Sequence, residues 1–384
     1  MGSPDGKKII VVGAGIVGAA IAYRLTTHGH RVTVIEADSP GGVASPYSFG
    51  WINSTYGFAR PYFDLRTASM ARWRQLGEEI PELPLTQAGC LYLAFDNDGT
   101  PLDLAAFADA HAGWGYEIEA IGANRVRDHA PRLREAREGA AFAAGDMALD
   151  AASAAQIFIR RAIANGAQLI AGVRAERICM AEGRVTGVET VLGVIDADET
   201  VLAAGAATPF LVADIAPWLE LTTPPGVLVH TMPTERFLEP IVLLEDVHVR
   251  QDARGRLIAG ADFGGRTGAN SPQEVADAVM RDLRAAFTGL DDLKIEAVTV
   301  GARPTPADGA PIVGPLPGVE ALTVAVMHSG VTLAAIVADA VAGALGEDGW
   351  IDEIAPFSPA RFVPADASVA AHVDDVTIAK ARTA

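Results

Sequence analysis

Gly13, Gly15 and Gly18 stand in the run Ile9-Ile10-Val11-Val12-Gly13-Ala14-Gly15-Ile16-Val17-Gly18, and Glu36 closes the next apolar run, Arg31–Ile35. This is the G-x-G-x-x-G spacing between a strand and a helix. Gly13 permits a tight turn, Gly15 lets backbone N–H groups approach a pyrophosphate, and Gly18 lets the helix pack closely on the strand. The helix N-terminus then faces the phosphate charge. Glu36 is placed to accept hydrogen bonds from ribose hydroxyls. The chemistry predicted is dinucleotide binding; the alternative is a glycine-rich turn in an α/β core that holds no ligand.

The elements that must position this turn follow from periodicity. Ala19–Leu25 reads as a helix. A loop follows Glu36 at 39–46, rich in Gly, Pro and Ser. Residues 63–79 read as a helix, with Leu65, Met70, Trp73 and Leu76 on one face. Residues 90–95 read as a strand, 153–165 as a helix, and 168–171 as the strand it feeds. Ala175–Met180 and Arg184–Glu189 form a hairpin, and residues 200–205 a buried strand. Alternating runs between 225 and 262 suggest a second, mixed or antiparallel sheet. A helix spans 272–287, a strand 322–327, and a final apolar helix Val331–Leu345. The last thirty or so residues, rich in Ala, Asp and Pro, read as loosely packed.

A chain of 384 residues, half of them hydrophobic, suits two interleaved domains. Its 30 basic and 48 acidic residues give a formal charge of −18, which argues against nucleic acid or an anionic membrane as partner. Cys90 and Cys179 lie in no metal-binding or disulfide pattern, so no metal site is expected and a reducing cytoplasm fits. No apolar run is long enough and free enough of Gly to span a membrane. The glycines of Ile9–Ala22 fit a nucleotide fold better than a signal peptide. A homo-oligomer is compatible with this composition.

Five segments in fixed order resemble the D-amino-acid oxidase and glycine oxidase family of FAD-dependent amine oxidoreductases: VVGAGIVGAAIAYRL, VTVIE, TVLAAGAAT, GARPTPADGAPIVGPLPG and MHSGVTLAA. The resemblance spans residues 8 to about 345, and its last two segments are the most specific. It implies an α/β fold with an α+β substrate part: an FAD-binding, doubly wound, Rossmann-like domain interleaved with a mixed-sheet substrate domain. Residues 1–62, 140–215 and 300–350 would form the FAD domain, 63–139 and 216–299 the substrate domain, and 351–384 a C-terminal extension.

The resemblance also implies roles. Gly13, Ala14, Gly15, Ile16, Val17 and Gly18 match the pyrophosphate turn, and Glu36 with Ala37 the ribose end. Gly42, Val43, Ala44 and Ser45 resemble the ribityl-diphosphate segment. Ala175 resembles the position beside the adenine, and Ala204 and Gly205 the strand end near the adenosine. Ser329, Gly330, Val331 and Thr332 match a helix start aimed at the flavin pyrimidine edge, where a helix N-terminus stabilises the negative charge of reduction. Arg303 matches the arginine that pairs the substrate carboxylate, because a planar guanidinium binds a carboxylate through two parallel hydrogen bonds. The alternative for Arg303 is pairing with an internal acid. No cysteine lies in the region shortly before the C-terminal flavin motif, where some sarcosine oxidases hold flavin by a thioether, so FAD is expected to be non-covalent.

Two positions depart from the family pattern. By spacing alone, His248 falls where glycine oxidases place an active-site tyrosine, and His328 where some place a second arginine. Trp51 and Asn53 are candidates for pocket lining, with core packing as the alternative for Trp51; Tyr56, Arg60 and Tyr62 are weaker candidates. The expectation is oxidation of a glycine-like or N-carboxymethyl amine. Hydride would leave the carbon next to the carboxylate with no dedicated base, the imine would hydrolyse to glyoxylate and an amine, and O2 would become hydrogen peroxide. The rival readings are a D-amino-acid dehydrogenase or oxidase, a proline or hydroxyproline oxidase and, from another class, a non-catalytic NAD(P)-binding module.

Overall fold

Residues 6–55, 59–93, 103–134, 139–261 and 271–364 are described by this computed structural model. Tyr56, one of the weaker site candidates, lies outside them, as do residues 94 and 95 of the expected strand, of which Cys90–Tyr92 is present.

The first sheet has six strands, in the order Ile312–Pro315, Leu322–Val326, Glu199–Leu202, Lys8–Val12, Arg31–Glu36, Gln168–Ala171. All neighbours are parallel except the edge pair Ile312–Pro315 with Leu322–Val326. Lys8–Val12 is apolar on both faces because both are covered. Ile9 and Val11 pack under the helices Ile16–Thr27 and Gly330–Leu345, while Ile10 and Val12 join a cluster with Ile178, Val185 and Val188 of a three-stranded sheet. That small sheet, Ala175–Ala181, Arg184–Thr190 and Gly193–Asp196, is the expected hairpin with one more strand.

The second sheet has eight strands, in the order Ile295–Ala302, Pro225–Thr231, Leu257–Gly260, His248–Gln251, Ile241–Leu243, Cys90–Tyr92, Gly139–Ala143, Ile118–Gly122. It is mixed: Ile241–Leu243 runs parallel to Cys90–Tyr92 and the other pairs are antiparallel. The period of two sorts its residues. Val229, Val249 and Ala259 pack with Val275, Val279 and Leu283 of the helix Pro272–Ala286. Leu228, His248 and Arg250 alternate onto the opposite face.

The segment after the last long helix is better anchored than its composition suggests. Ile354 and Phe357 are buried, and Phe357 packs on Tyr62 with ring centroids 5.7 Å apart. Residues 365–384 lie outside the described part.

Candidate active site

The turn after the first strand is as tight as its glycines require. Gly13 has φ +100°, and a Cβ there would stand 2.5 Å from the Ala203 carbonyl oxygen. A Cβ on Gly18 would stand 2.0 Å from the Gly13 carbonyl. At Gly15 the nearest atom to a Cβ is Ser45 Oγ at 3.6 Å, so the turn is open where a ligand backbone would approach. The helix begins at Ile16, earlier than the expected Ala19, and the Ile16 N–H donates to Ser45 Oγ at 3.1 Å. Glu36 is buried; its carboxylate accepts from the Ala14 N–H at 2.6 Å and the Asp38 N–H at 2.9 Å.

From this turn a cavity of 1070 Å³ runs between the two sheets. Gly15, Ile16, Val17, Ala44, Ser45 and Gly205 line the end of it beside this turn. Ser329, Gly330, Val331 and Thr332, at the start of the Gly330–Leu345 helix, line its middle with Trp51 and Asn53. Arg303, His248 and His328 line it as well. Gly13, Ala14, Gly18, Glu36, Ala37, Gly42, Ala175 and Ala204 are not among its lining residues. Val43 is 62% exposed and also absent from the wall. Ala175 opens the small sheet just after Val173, whose N–H donates to the Glu36 carbonyl, so it stands at the Glu36 end of the first sheet. Arg60 is exposed and pairs with Asp64 at 2.7 Å; neither it nor Tyr62 lines the cavity.

Several contacts fix the middle of the cavity. The Arg66 guanidinium donates through Nη1 to Ser329 Oγ at 2.6 Å and through Nη2 to Asn53 Oδ1 at 3.0 Å. Thr332 Oγ1 donates to the Trp51 carbonyl at 3.3 Å. The first turn of the Gly330–Leu345 helix thereby presents backbone N–H groups that have no intrahelical acceptor. Arg66 belongs to none of the family motifs. Its signal was a cation on the apolar face of its helix, between Tyr62 and Met70, and a buried charge is the informative exception.

A buried polar cluster stands behind Trp51. Asp146 is fully buried, and its carboxyl accepts from Trp51 Nε1 at 2.8 Å, from the Tyr116 hydroxyl, and from the Tyr92 hydroxyl at 3.5 Å. Tyr92 and Thr55 share a further hydrogen bond. Burial raises the Asp146 carboxyl to about 7 against the pull of these donors and of Arg66, and it raises both tyrosines well above their usual range. Asp146 follows a glycine in an unremarkable run, and nothing in the sequence marks it.

Both histidines are electrically neutral. Burial, then the Arg303 charge, lowers His248 to about 3. Burial, then Arg303 and Arg66, lowers His328 to about 4, although by surface area the residue is exposed, lining the cavity. His248 packs edge-on against Phe49 at 4.6 Å. Opposite it is Gly260, where a Cβ would stand 2.7 Å from His248 Nε2. Gly226 makes the same room for Arg303, since a Cβ there would stand 2.3 Å from Nη2. These glycines let two side chains fold flat against the sheet.

Residues 8–344 match the family model described as FAD dependent oxidoreductase. The chain belongs to that family. Among curated relatives, a glycine oxidase of Pseudomonas putida is 26% identical over 350 residues, covering 82% of this chain and 87% of its own. A D-amino acid dehydrogenase of Cereibacter sphaeroides is 29% identical over 372 residues, covering 81% and 85%. The crystal structure of glycine oxidase from Geobacillus kaustophilus superposes with a TM-score of 0.79 at 25% identity, covering 92% of this chain and 98% of that one. The protein is thus an FAD-dependent oxidoreductase with the fold of that family. Its turn at Gly13–Gly18, open only at Gly15 and backed by a helix N-terminus, fits the cofactor the family uses. Among the described residues there is no cluster able to hold a metal ion and no helix long and apolar enough to cross a membrane.

Proposed function

We propose that the protein oxidises the C–N bond of a glycine-like amine, with N-carboxymethyl amines as the preferred class. The observation that carries this reading is Arg303 on the wall of a 1070 Å³ cavity, beside two histidines held neutral. Arg303 binds the substrate carboxylate through paired N–H donors. Neutral His248 and His328 add polar contacts without a competing charge. A cavity of this size accommodates a substituent on nitrogen beyond what free glycine needs. FAD, when bound, supplies the two-electron acceptor for the oxidation. The Ser329–Thr332 helix start, braced by Arg66, stabilises negative charge beside it. The substrate loses two electrons and two protons to give an imine; water cleaves the imine to glyoxylate and the free amine, and dioxygen takes the electrons to form hydrogen peroxide.

The cofactor is held non-covalently in this reading. Cys90 and Cys179 are both free thiols and neither lines the cavity. Two free thiols also support a reducing, cytoplasmic location. The nucleotide half comprises 1–62, 140–215 and 300–350, the substrate half 63–139 and 216–299.

The test is anaerobic bleaching of the flavin band by glycine, sarcosine, iminodiacetate, a long-chain N-carboxymethyl amine, D-alanine and L-proline in turn. Rapid bleaching by the N-carboxymethyl compounds is expected. Bleaching by D-alanine alone would move the protein to the D-amino-acid dehydrogenase branch, the activity named for the Cereibacter relative.

A further inference from the structure

The face of the eight-stranded sheet that lines the flavin cavity continues past Tyr47 into a second cavity of 340 Å³. Arg250, from the same strand as His248, turns into it. Arg250 is 7% exposed. Its Nε donates to the Phe49 carbonyl at 2.6 Å, and its guanidinium lies 5.7 Å from the Phe49 ring. Among the described residues those contacts leave Nη1 and Nη2 without a hydrogen-bond acceptor, and no carboxylate forms an ion pair with the group. Burial lowers it only to about 10, so it stays charged at neutral pH. Asp150 and Asp252 act on this buried guanidinium only through space, and the outward edge left open here is the one that binds a carboxylate bidentately.

The rest of the wall says what else the occupant carries. Arg256, also in the wall, is already matched by Asp252 at 2.8 Å and Glu296 at 3.5 Å. His230 bonds Thr299 Oγ1 at 3.1 Å, and burial keeps it below its ordinary pKa, hence neutral. Two carboxylates, Asp150 and Glu296, line the cavity alongside the two guanidiniums. Asp150 also caps the 14-residue helix Ala151–Ala164 by accepting from the Ser153 N–H at 2.9 Å. The cap leaves the N–H groups of Ala151 and Ala152 without intrahelical acceptors. A simple anion would meet the two carboxylates as well as Arg250. A molecule with one charge of each sign matches the whole wall.

We propose that this second cavity binds a small amino acid as its zwitterion, with the carboxylate on Arg250 and the Ala151–Ala152 helix start, and the ammonium toward Asp150 and Glu296. The site is separate from the reacting centre but shares a wall with it: Ser45, Tyr47 and Ser48 face both cavities, and Ser45 holds the Ile16 N–H of the nucleotide turn. An occupant therefore presses on the loop that carries Phe49 and Trp51 into the flavin cavity, and binding registers in the flavin spectrum.

The probe is β-alanine, titrated anaerobically into the flavin-loaded full-length protein by calorimetry and flavin difference absorbance, with propionate and propylamine as single-charge controls. Arg250→Gln is expected to weaken β-alanine roughly tenfold or more, the loss of charge-assisted hydrogen bonds. Ala297→Trp fills the cavity while leaving Arg250 in place, and it is expected to abolish binding even if the Arg250 variant folds poorly. Arg303→Gln is expected to leave it intact. Binding that survives Ala297→Trp, or that is lost with Arg303→Gln alone, places β-alanine in the main cavity and overturns the proposal. Equal affinity for propionate or propylamine overturns the zwitterion assignment. The outcome is independent of which amine the enzyme oxidises.

Discussion

Trp51 Nε1 donates to Asp146 Oδ2 at 2.8 Å, joining a wall of the larger cavity to a fully buried carboxyl that the sequence places far away. The indole is thus held by a group that titrates at about 7 in the folded chain. Its ordinary value is 3.8, so between pH 4 and 7 the folded protein keeps a proton that the unfolded chain has lost. Stability from this group is complete below pH 4 and declines as pH rises through 7, by about 1.4 kcal/mol per pH unit. His248 acts in the opposite sense. At about 3 when folded and 6.5 when unfolded, it costs stability as pH falls below 6.5. Urea unfolding at pH 4.5, 5.5 and 6.5 therefore separates them: relative to the parent, Asp146→Asn gains stability with rising pH and His248→Asn loses it. Parallel pH profiles for parent and both variants would refute the assignment.

In the proposed reaction, Arg303→Gln removes two charge-assisted hydrogen bonds to the substrate carboxylate. At about 1.5–3 kcal/mol each, kcat/KM falls roughly 10²- to 10⁴-fold. Arg303→Lys recovers only part, because an ammonium cannot bind a carboxylate through two parallel bonds. Steady-state kinetics decides this; a drop under threefold for the Gln variant would remove Arg303 from substrate binding.

Gly13→Ala tests the nucleotide turn. The residue sits at φ +100°, where a Cβ is strained, and the Ala203 carbonyl stands 2.5 Å from where it must go. The strain is at least about 1–2 kcal/mol before any clash. The purified variant is expected to be colourless or mostly flavin-free, while Gly29→Ala, with φ +81° but open space around it, keeps its flavin. Equal flavin content in both would break the link between this turn and the cofactor.

Acid or heat denaturation of the yellow protein, followed by filtration, is expected to release all of the flavin. Flavin retained on the polypeptide would instead require a covalent bond to a residue outside the two thiols.

Arg66→Met removes the brace on Ser329 and Asn53. The helix start then loses its fixed relation to Trp51, and flavin affinity is expected to fall by roughly tenfold, the scale of one charged hydrogen bond. Equilibrium dialysis of the flavin measures it.

Much of this arrangement is legible in the chain itself. Glycines at fixed spacing and unbroken apolar strands report the tight turn after the first strand and the parallel sheet, since both signals are local in sequence. The strand Gly139–Ala143 and the helix Leu104–Ala112 were harder to read. The first is alanine-rich, and the second has a single buried residue, Ala108, so neither carries a clear periodicity. His248 and His328 could be placed by spacing from family motifs, and both reach the cavity. Arg66, Asp146 and Arg250 could not. Their roles depend on partners brought together by pairing of strands distant in sequence, such as Cys90–Tyr92 beside Ile241–Leu243.

The six-stranded sheet takes strands from both ends of the chain: Lys8–Val12 lies between Arg31–Glu36 and Glu199–Leu202, and the next strand, Leu322–Val326, leads to the Ser329 helix start. On a ribosome adding about 5–20 residues per second, the first strand waits on the order of ten to forty seconds for its second neighbour. The glycine turn emerges roughly three hundred residues before the helix start that completes the pocket. The nascent chain thus exposes an unpaired apolar edge until Glu199–Leu202 emerges, and the pocket can close only after Leu322–Val326 and the helix it leads to have followed. Aggregation during expression, and its relief by slower synthesis or chaperones, is where this topology would be felt in the cell.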